Sequence, residues 1–159
     1  MNAPARLVEV TVPTVAFTLD QQTLHAFEGE TILKAAERHG IDIPHLCYKD
    51  GYRPDGNCRA CVVEINGERV LSPSCCRSAT AGMDVQASSA RAVKSQKMVL
   101  EILLSDMGDT GYKWNDAGVA AVGSTASKAA TDVGQYGLLS HWAARMNVKV
   151  RPELKALRR

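Results

Sequence analysis

The pattern of apolar and polar positions divides the chain into short extended segments early on and helical segments later. Leu7–Val12 is dense in β-branched and apolar residues and predicts a strand. Val15–Asp20 and Gln22–Phe27 alternate like the arms of a hairpin. Glu28-Gly29-Glu30 is a turn, and Thr31 is placed to cap a helix whose apolar face is Ile32, Leu33 and Ala36. Gly40 supplies the stop, and Ile41–Pro44 is extended because proline disfavours helix before it. Residues 47–61 carry Gly51, Pro54, Asp55, Gly56 and Asn57, which is loop chemistry.

Cys61–Ile65 then predicts a strand, Asn66-Gly67 a tight hairpin turn, and Glu68–Leu71 its returning arm, ended by Pro73. Met83–Gln86 is a further short strand. Ser88 or Ser89 caps a helix over Ala90–Ser105, with Val93, Leu100, Leu103 and Leu104 as a buried stripe and Val99 and Ile102 beside it. Residues 108–137 are rich in Gly, Ala, Ser, Thr and Asp and predict a flexible linker. Leu138–Met146 is a short helix with Leu139, Trp142 and Met146 on one side, followed by a basic amphipathic end. The resulting order is α+β: a small mixed sheet with a helix across one face in residues 1–87, a packing helix in 88–107, the linker at 108–137, and a helical tail at 138–159 that has little core of its own and is expected to dock elsewhere.

Composition changes this picture in one respect. The 159 residues carry a formal charge of +2 and 45% hydrophobic residues, values ordinary for one globular domain with appendages. Basic residues are scattered, so nucleic-acid binding is not expected. No apolar run approaches the roughly 18 residues of a membrane span. The first residues, Met1-Asn2-Ala3-Pro4-Ala5-Arg6, show no signal core, and a cytoplasmic location is the expectation. The exceptional feature is cysteine. All five lie between residues 47 and 76, as Cys47, Cys58, Cys61 and the adjacent Cys75 and Cys76.

In a reducing compartment such a cluster predicts a metal site before disulfides. The spacing Cys-x10-Cys-x2-Cys-x13-Cys offers four thiolates, which suit a 2Fe–2S cluster with two soft ligands per iron. Gly51, Gly56 and Asn57 allow backbone N–H groups to approach the sulfurs. Arg53, Arg59 and Arg77 are close in sequence and offset the cluster's negative charge, if they are not simply solvated. A structural zinc site with four cysteines, stapling an interaction module, is the competing reading. Zinc ribbons, however, usually show two Cys-x2-Cys knuckles, and this chain has one. Cys75 and Cys76 compete for the fourth position. His25, His39, His45 and His141 are not needed as ligands, and no nucleophile–base pair suggests bond chemistry.

The stretches Pro44–Tyr48, Gly56–Ile65 and Pro73–Arg77 resemble the N-terminal 2Fe–2S domain of large electron-transfer subunits related to respiratory complex I. That group includes NAD-reducing hydrogenase subunits and NAD-dependent formate dehydrogenase alpha subunits. The wording of Cys47–Cys61, with Leu139–Met146 and Val150–Leu154 in the tail, looks most like the formate dehydrogenase subunit. The resemblance implies a β-grasp, 2Fe–2S ferredoxin-like fold and a cluster held by Cys47, Cys58, Cys61 and Cys75, leaving Cys76 a bystander. It implies partners carrying further iron–sulfur centres, flavin (FMN, reacting with NADH) and molybdenum or tungsten. Residues 77–159 contain no cysteine, so the further cluster sites of the large subunits are missing from this chain. A truncated piece, a short accessory subunit and a free-standing ferredoxin are the readings compatible with that.

Overall fold

A computed structural model describes residues 13–107 and 137–155. The predicted strand at 7–12, nearly all of the linker and residues 156–159 lie outside the described residues. The element order is β1 (Thr14–Leu19), β2 (Gln22–Phe27), α1 (Ile32–Arg38), β3 (Val62–Ile65), β4 (Ser72–Pro73), β5 (Asp84–Gln86), α2 (Ala90–Ser105), α3 (Gly137–Arg145) and α4 (Pro152–Lys155). The strands form one mixed sheet in the order β2-β1-β5-β3-β4. β1 pairs antiparallel with β2 and parallel with β5, so the first and last strands lie side by side at the centre.

The period-2 pattern works as expected in the hairpin. Phe17, Leu19, Leu24 and Ala26 are buried and their neighbours face outward. These side chains meet the apolar face of α1 (Ile32, Leu33, Ala35, Ala36) together with Ile43, Val63, Ile65 and Val85 in the main core. Thr31 caps α1, its hydroxyl accepting from Lys34 N at 3.3 Å. The far end closes in a Schellman turn. Ile41 N donates to Ala36 O at 2.9 Å and Gly40 N to Glu37 O at 3.0 Å, with Gly40 at φ 75°.

Two sequence expectations need correction. The turn at Asn66-Gly67 closes, with Glu68 N donating to Ile65 O at 3.0 Å, but residues 68–71 do not form the returning arm. Pairing begins only at Ser72–Pro73, opposite Val63 and Val62. Glu68 is drawn off the ladder by Arg77, 2.6 Å away, and by the Ser72 hydroxyl, which donates at 2.9 Å. On α2 the buried stripe is not Val93, Leu103 and Leu104 around Leu100. It is Ala92, Gln96 and Leu100, while Ile102 and Leu103 are exposed. Small Ala92 allows close approach to β3, and Gln96 is buried because its amide donates to Val62 O at 2.8 Å and to Ala87 O at 3.3 Å.

The tail does not need an outside surface in order to dock. α3 packs on α2, and together with Ala60 of the cysteine loop they build a second core of Ala60, Leu100 and Trp142. Leu46, Cys58, Val99, Leu138, Leu139, Met146 and Val148 pack against it. The start of α4 is held to α2 by Glu101, which accepts from Arg151 N at 3.1 Å and Arg151 Nε at 2.7 Å. Among the described residues no helix is long and apolar enough to cross a membrane.

Candidate metal centre

The cysteine loop lies between the two cores, and the five thiols divide accordingly. Cys61 and Cys75 are buried in the main core. Cys58 packs on the second core and Cys47 is exposed beside it. All five are free of disulfides. Within this arrangement Cys47 lies beside Cys58, and Cys75 lies beside both Cys61 and Cys76, its sulfur 3.6 Å from that of Cys76.

The segment carrying Cys75 is tied down from three sides. Pro73 O accepts from Cys76 N and Arg77 N, both at 3.0 Å, so residues 73–77 form a tight turn. That turn satisfies the orphan N–H groups opening α1, since Ile32 N donates to Arg77 O at 2.9 Å and Leu33 N to Ser74 O at 3.1 Å. Ser74 then reaches across to the carbonyl of Cys61. The Cys58–Cys61 turn depends on Arg59, which adopts a left-handed conformation at φ 60°. Arginine gave no signal for that conformation in the sequence.

Backbone donors converge on the outer pair. The Cys58 sulfur accepts from the N–H groups of Ala60, Cys47 and Leu46, and the Cys47 sulfur from those of Cys58 and Asn57. Burial pushes the Cys58 thiol up, but the backbone donors and the Cys47 thiol outweigh it and hold Cys58 below the ordinary range. Cys47 is pushed up, first by burial and then by its thiol neighbour. Cys75 is driven far up by burial and by the nearby Cys61. Without compensating positive charge this site therefore disfavours several thiolates together, and metal ions are the usual means of stabilising them.

The donor set and its pairing fit a dinuclear iron–sulfur cluster, with two thiolates for each iron. Among the described residues no three His, Cys, Asp or Glu side chains converge on a single point.

Cys76 is the neighbour of Cys75 on the surface side. It is exposed, with its sulfur 3.6 Å from that of Cys75 and 3.8 Å from Pro54 O. Of the arginines named from the sequence, Arg77 is directed to Glu68 and Arg59 shapes the turn. His45 is a packing residue. Its Nδ1 lies 2.9 Å from Ile43 O, and its ring sits between Tyr48 at 5.9 Å and Trp142 at 5.8 Å. Ser74 and the backbone donors of Leu46 and Ala60 escaped the sequence reading. Trp142 entered it only as a tail residue, although its place beside Leu139 and Met146 on one helix face marked it for burial.

The fold, the clustered thiols and the converging backbone donors suit a protein that binds an iron–sulfur cluster. Residues 13–90 match the family model described as "2Fe-2S iron-sulfur cluster binding domain", and this part of the chain is such a domain, with a β-grasp fold. It is similar to parts of NADH-quinone oxidoreductase and NAD(P)-reducing hydrogenase subunits.

An NADP-reducing hydrogenase subunit, HndD, of Solidesulfovibrio fructosivorans is 43% identical over 97 residues, covering 58% of this chain and 17% of the relative. One NADH-quinone oxidoreductase subunit of Rhizobium meliloti is 39% identical over 92 residues, covering 58% of this chain and 11% of the relative. The chain thus spans only a small fraction of these curated relatives. A chain in the crystal structure of an NAD+-reducing NiFe-hydrogenase in the H2-reduced state superposes with a TM-score of 0.64 at 28% identity. That match covers 86% of this chain and 50% of the other.

Proposed function

We propose that this chain is a one-electron carrier module whose 2Fe–2S cluster is held by Cys47, Cys58, Cys61 and Cys75. The observation that carries this reading is the gathering of these thiols around one loop, Cys47 beside Cys58 at the second core and Cys61 beside Cys75 in the main core. Cys47 and Cys58 would hold one iron, and Cys61 and Cys75 the other. When bound, the cluster supplies reversible one-electron chemistry. The protein's own contribution is to fix the four sulfurs, aim N–H groups at the Cys47/Cys58 pair and keep water from Cys61 and Cys75. Such donors favour the reduced, more negative state and raise its potential. Cys76 touches Cys75 but is exposed where Cys75 is buried, and it is left as the bystander.

The module serves an NAD-linked cytoplasmic complex, passing electrons between a flavin (FMN/NADH) subunit and further iron–sulfur centres. Its relatives include parts of NADP-reducing hydrogenase and NADH-quinone oxidoreductase, which supports that setting. The wording of residues 47–61 and of the 139–154 tail favours an NAD-dependent formate dehydrogenase, with its molybdenum or tungsten subunit, as the particular complex.

Iron and acid-labile sulfide counts, with absorbance and EPR spectra of the anaerobically reduced protein, test the cluster. Equal iron and sulfide and a reduced-state EPR signal are expected, kept in Cys76→Ser and lost in Cys75→Ser. A colourless protein holding zinc and no labile sulfide would sink the reading. Co-purification tests the complex: a flavoprotein fraction with formate-dependent NAD reduction is expected, and a stable complex active only with hydrogen would remove the formate assignment.

A further inference from the structure

Trp142, on α3, is only 5% exposed and shares the second core with Ala60 and Leu100, against which Leu46 and Cys58 pack. Its ring lies 5.8 Å from that of His45, two residues before Cys47. Arg145 covers the indole from outside, 5.3 Å above the ring, while its guanidinium lies 2.7 Å from the Asp42 carboxylate. The tail helix is thereby fastened to the segment that leads into Cys47. Yet Trp142 Nε1 is buried and has no hydrogen-bond partner among the described protein groups.

A buried indole N–H normally finds an acceptor. Leaving one unpaired is costly, and an ion at the position is one established reason for such an orphan. The second core offers few acceptors. Its aliphatic side chains have none, and the thioether of Met146 is a weak one. The sulfurs on the Cys58 side of a 2Fe–2S cluster would carry negative charge and accept more strongly than any of these.

We propose that the indole N–H of Trp142 is a hydrogen-bond donor to the Cys58 side of the cluster. The inference rests on the cluster assignment made above. Trp142 would then be a tuning residue supplied by the tail helix, outside the cysteine loop altogether. It would stabilise the reduced state and exclude water from one flank of the site.

Pulsed EPR of the full-length reduced protein, labelled with nitrogen-15 at the indoles of Trp114 and Trp142, tests this when the wild type is compared with Trp142→Phe, which keeps only the Trp114 label. A nitrogen-15 coupling to the cluster is expected, and its absence overturns the inference. Trp142→Phe keeps an aromatic ring and removes the donor. It is expected to lose that coupling and to shift the EPR-monitored midpoint potential downward. A Phe variant with the wild-type potential and coupling overturns the inference. So does a potential that falls in Trp142→Ala but not in Trp142→Phe, because packing alone would then explain it. A wild-type protein with no 2Fe–2S signal overturns the cluster assignment itself. A normal wild-type cluster with an unaltered Phe variant overturns only the role of Trp142.

Discussion

Ser74 donates twice to the carbonyl of Cys61, through its hydroxyl at 2.8 Å and its backbone N–H at 3.0 Å. This fully buried contact joins the turn of Cys58 and Cys61 to the turn of Cys75, and so sets the spacing of the inner thiol pair. Ser74→Ala removes one of the two donors and leaves the carbonyl still paired. The expected loss is about 1 kcal/mol, the net worth of one such bond. It would appear as a lower urea midpoint with an unchanged slope. Cluster release to a chelator should also quicken. Stability and release rates equal to wild type would show that the hydroxyl does not hold the two turns together.

Gly56 faces a different constraint. It sits at φ +65°, and a Cβ built there would stand 2.8 Å from Cys76 Sγ. Gly56→Ala therefore meets two obstacles, a left-handed backbone that costs an L-residue roughly 1–2 kcal/mol and a thiol that must move. Adding Cys76→Ala relieves the second and leaves the first. The double variant should be more stable than Gly56→Ala alone and less stable than Cys76→Ala. Simple additivity of the two single changes would contradict the contact.

Gln96 is 2% exposed and joins α2 to the sheet through Val62 O and Ala87 O. Gln96→Leu keeps the bulk and removes both donations to the buried Val62 and half-buried Ala87 carbonyls. A loss of about 1–3 kcal/mol is expected in urea unfolding, as for other stranded buried polar groups. If the apolar replacement proves neutral, the helix is held by Ala92 and Leu100 alone.

The legible and illegible parts of the sequence differ in range. The β1–β2 hairpin and α1 with its Thr31 cap and Gly40 stop are short-range patterns, and each stands in the structure where the residues placed it. The returning arm at 68–71 failed because Glu68 is claimed by Arg77, nine positions away and on another turn. The α2 stripe was shifted because hydrophobicity cannot show that a glutamine is buried to satisfy β3. The thiol pairing and the docking of Trp142 on the cysteine loop depend on contacts across the whole chain. Pattern along the sequence reaches them only as candidate residues.

Glu30 gives a prediction about acid. Its side chain is 7% exposed and accepts from Arg38 Nη2 at 2.8 Å, Arg38 Nε at 3.2 Å and Phe27 N at 2.9 Å. Burial alone pushes this carboxyl up, but the Arg38 fork and the Phe27 N–H prevail and hold it below its ordinary value of 4.5. A carboxyl depressed in the folded state stabilises the fold above the unfolded value and loses that contribution as pH falls through the folded one. Wild-type stability should therefore decline below pH 4.5 as Glu30 is protonated. Glu30→Gln keeps the shape and part of the hydrogen bonding but has no such titration. It should be less stable near neutrality and show a smaller fall in acid. Urea midpoints measured for both chains across that range at constant ionic strength provide the check. Acid loss of the cluster is common to the two, so their difference isolates Glu30. Parallel pH profiles would mean that Arg38 holds this corner without help from the Glu30 charge.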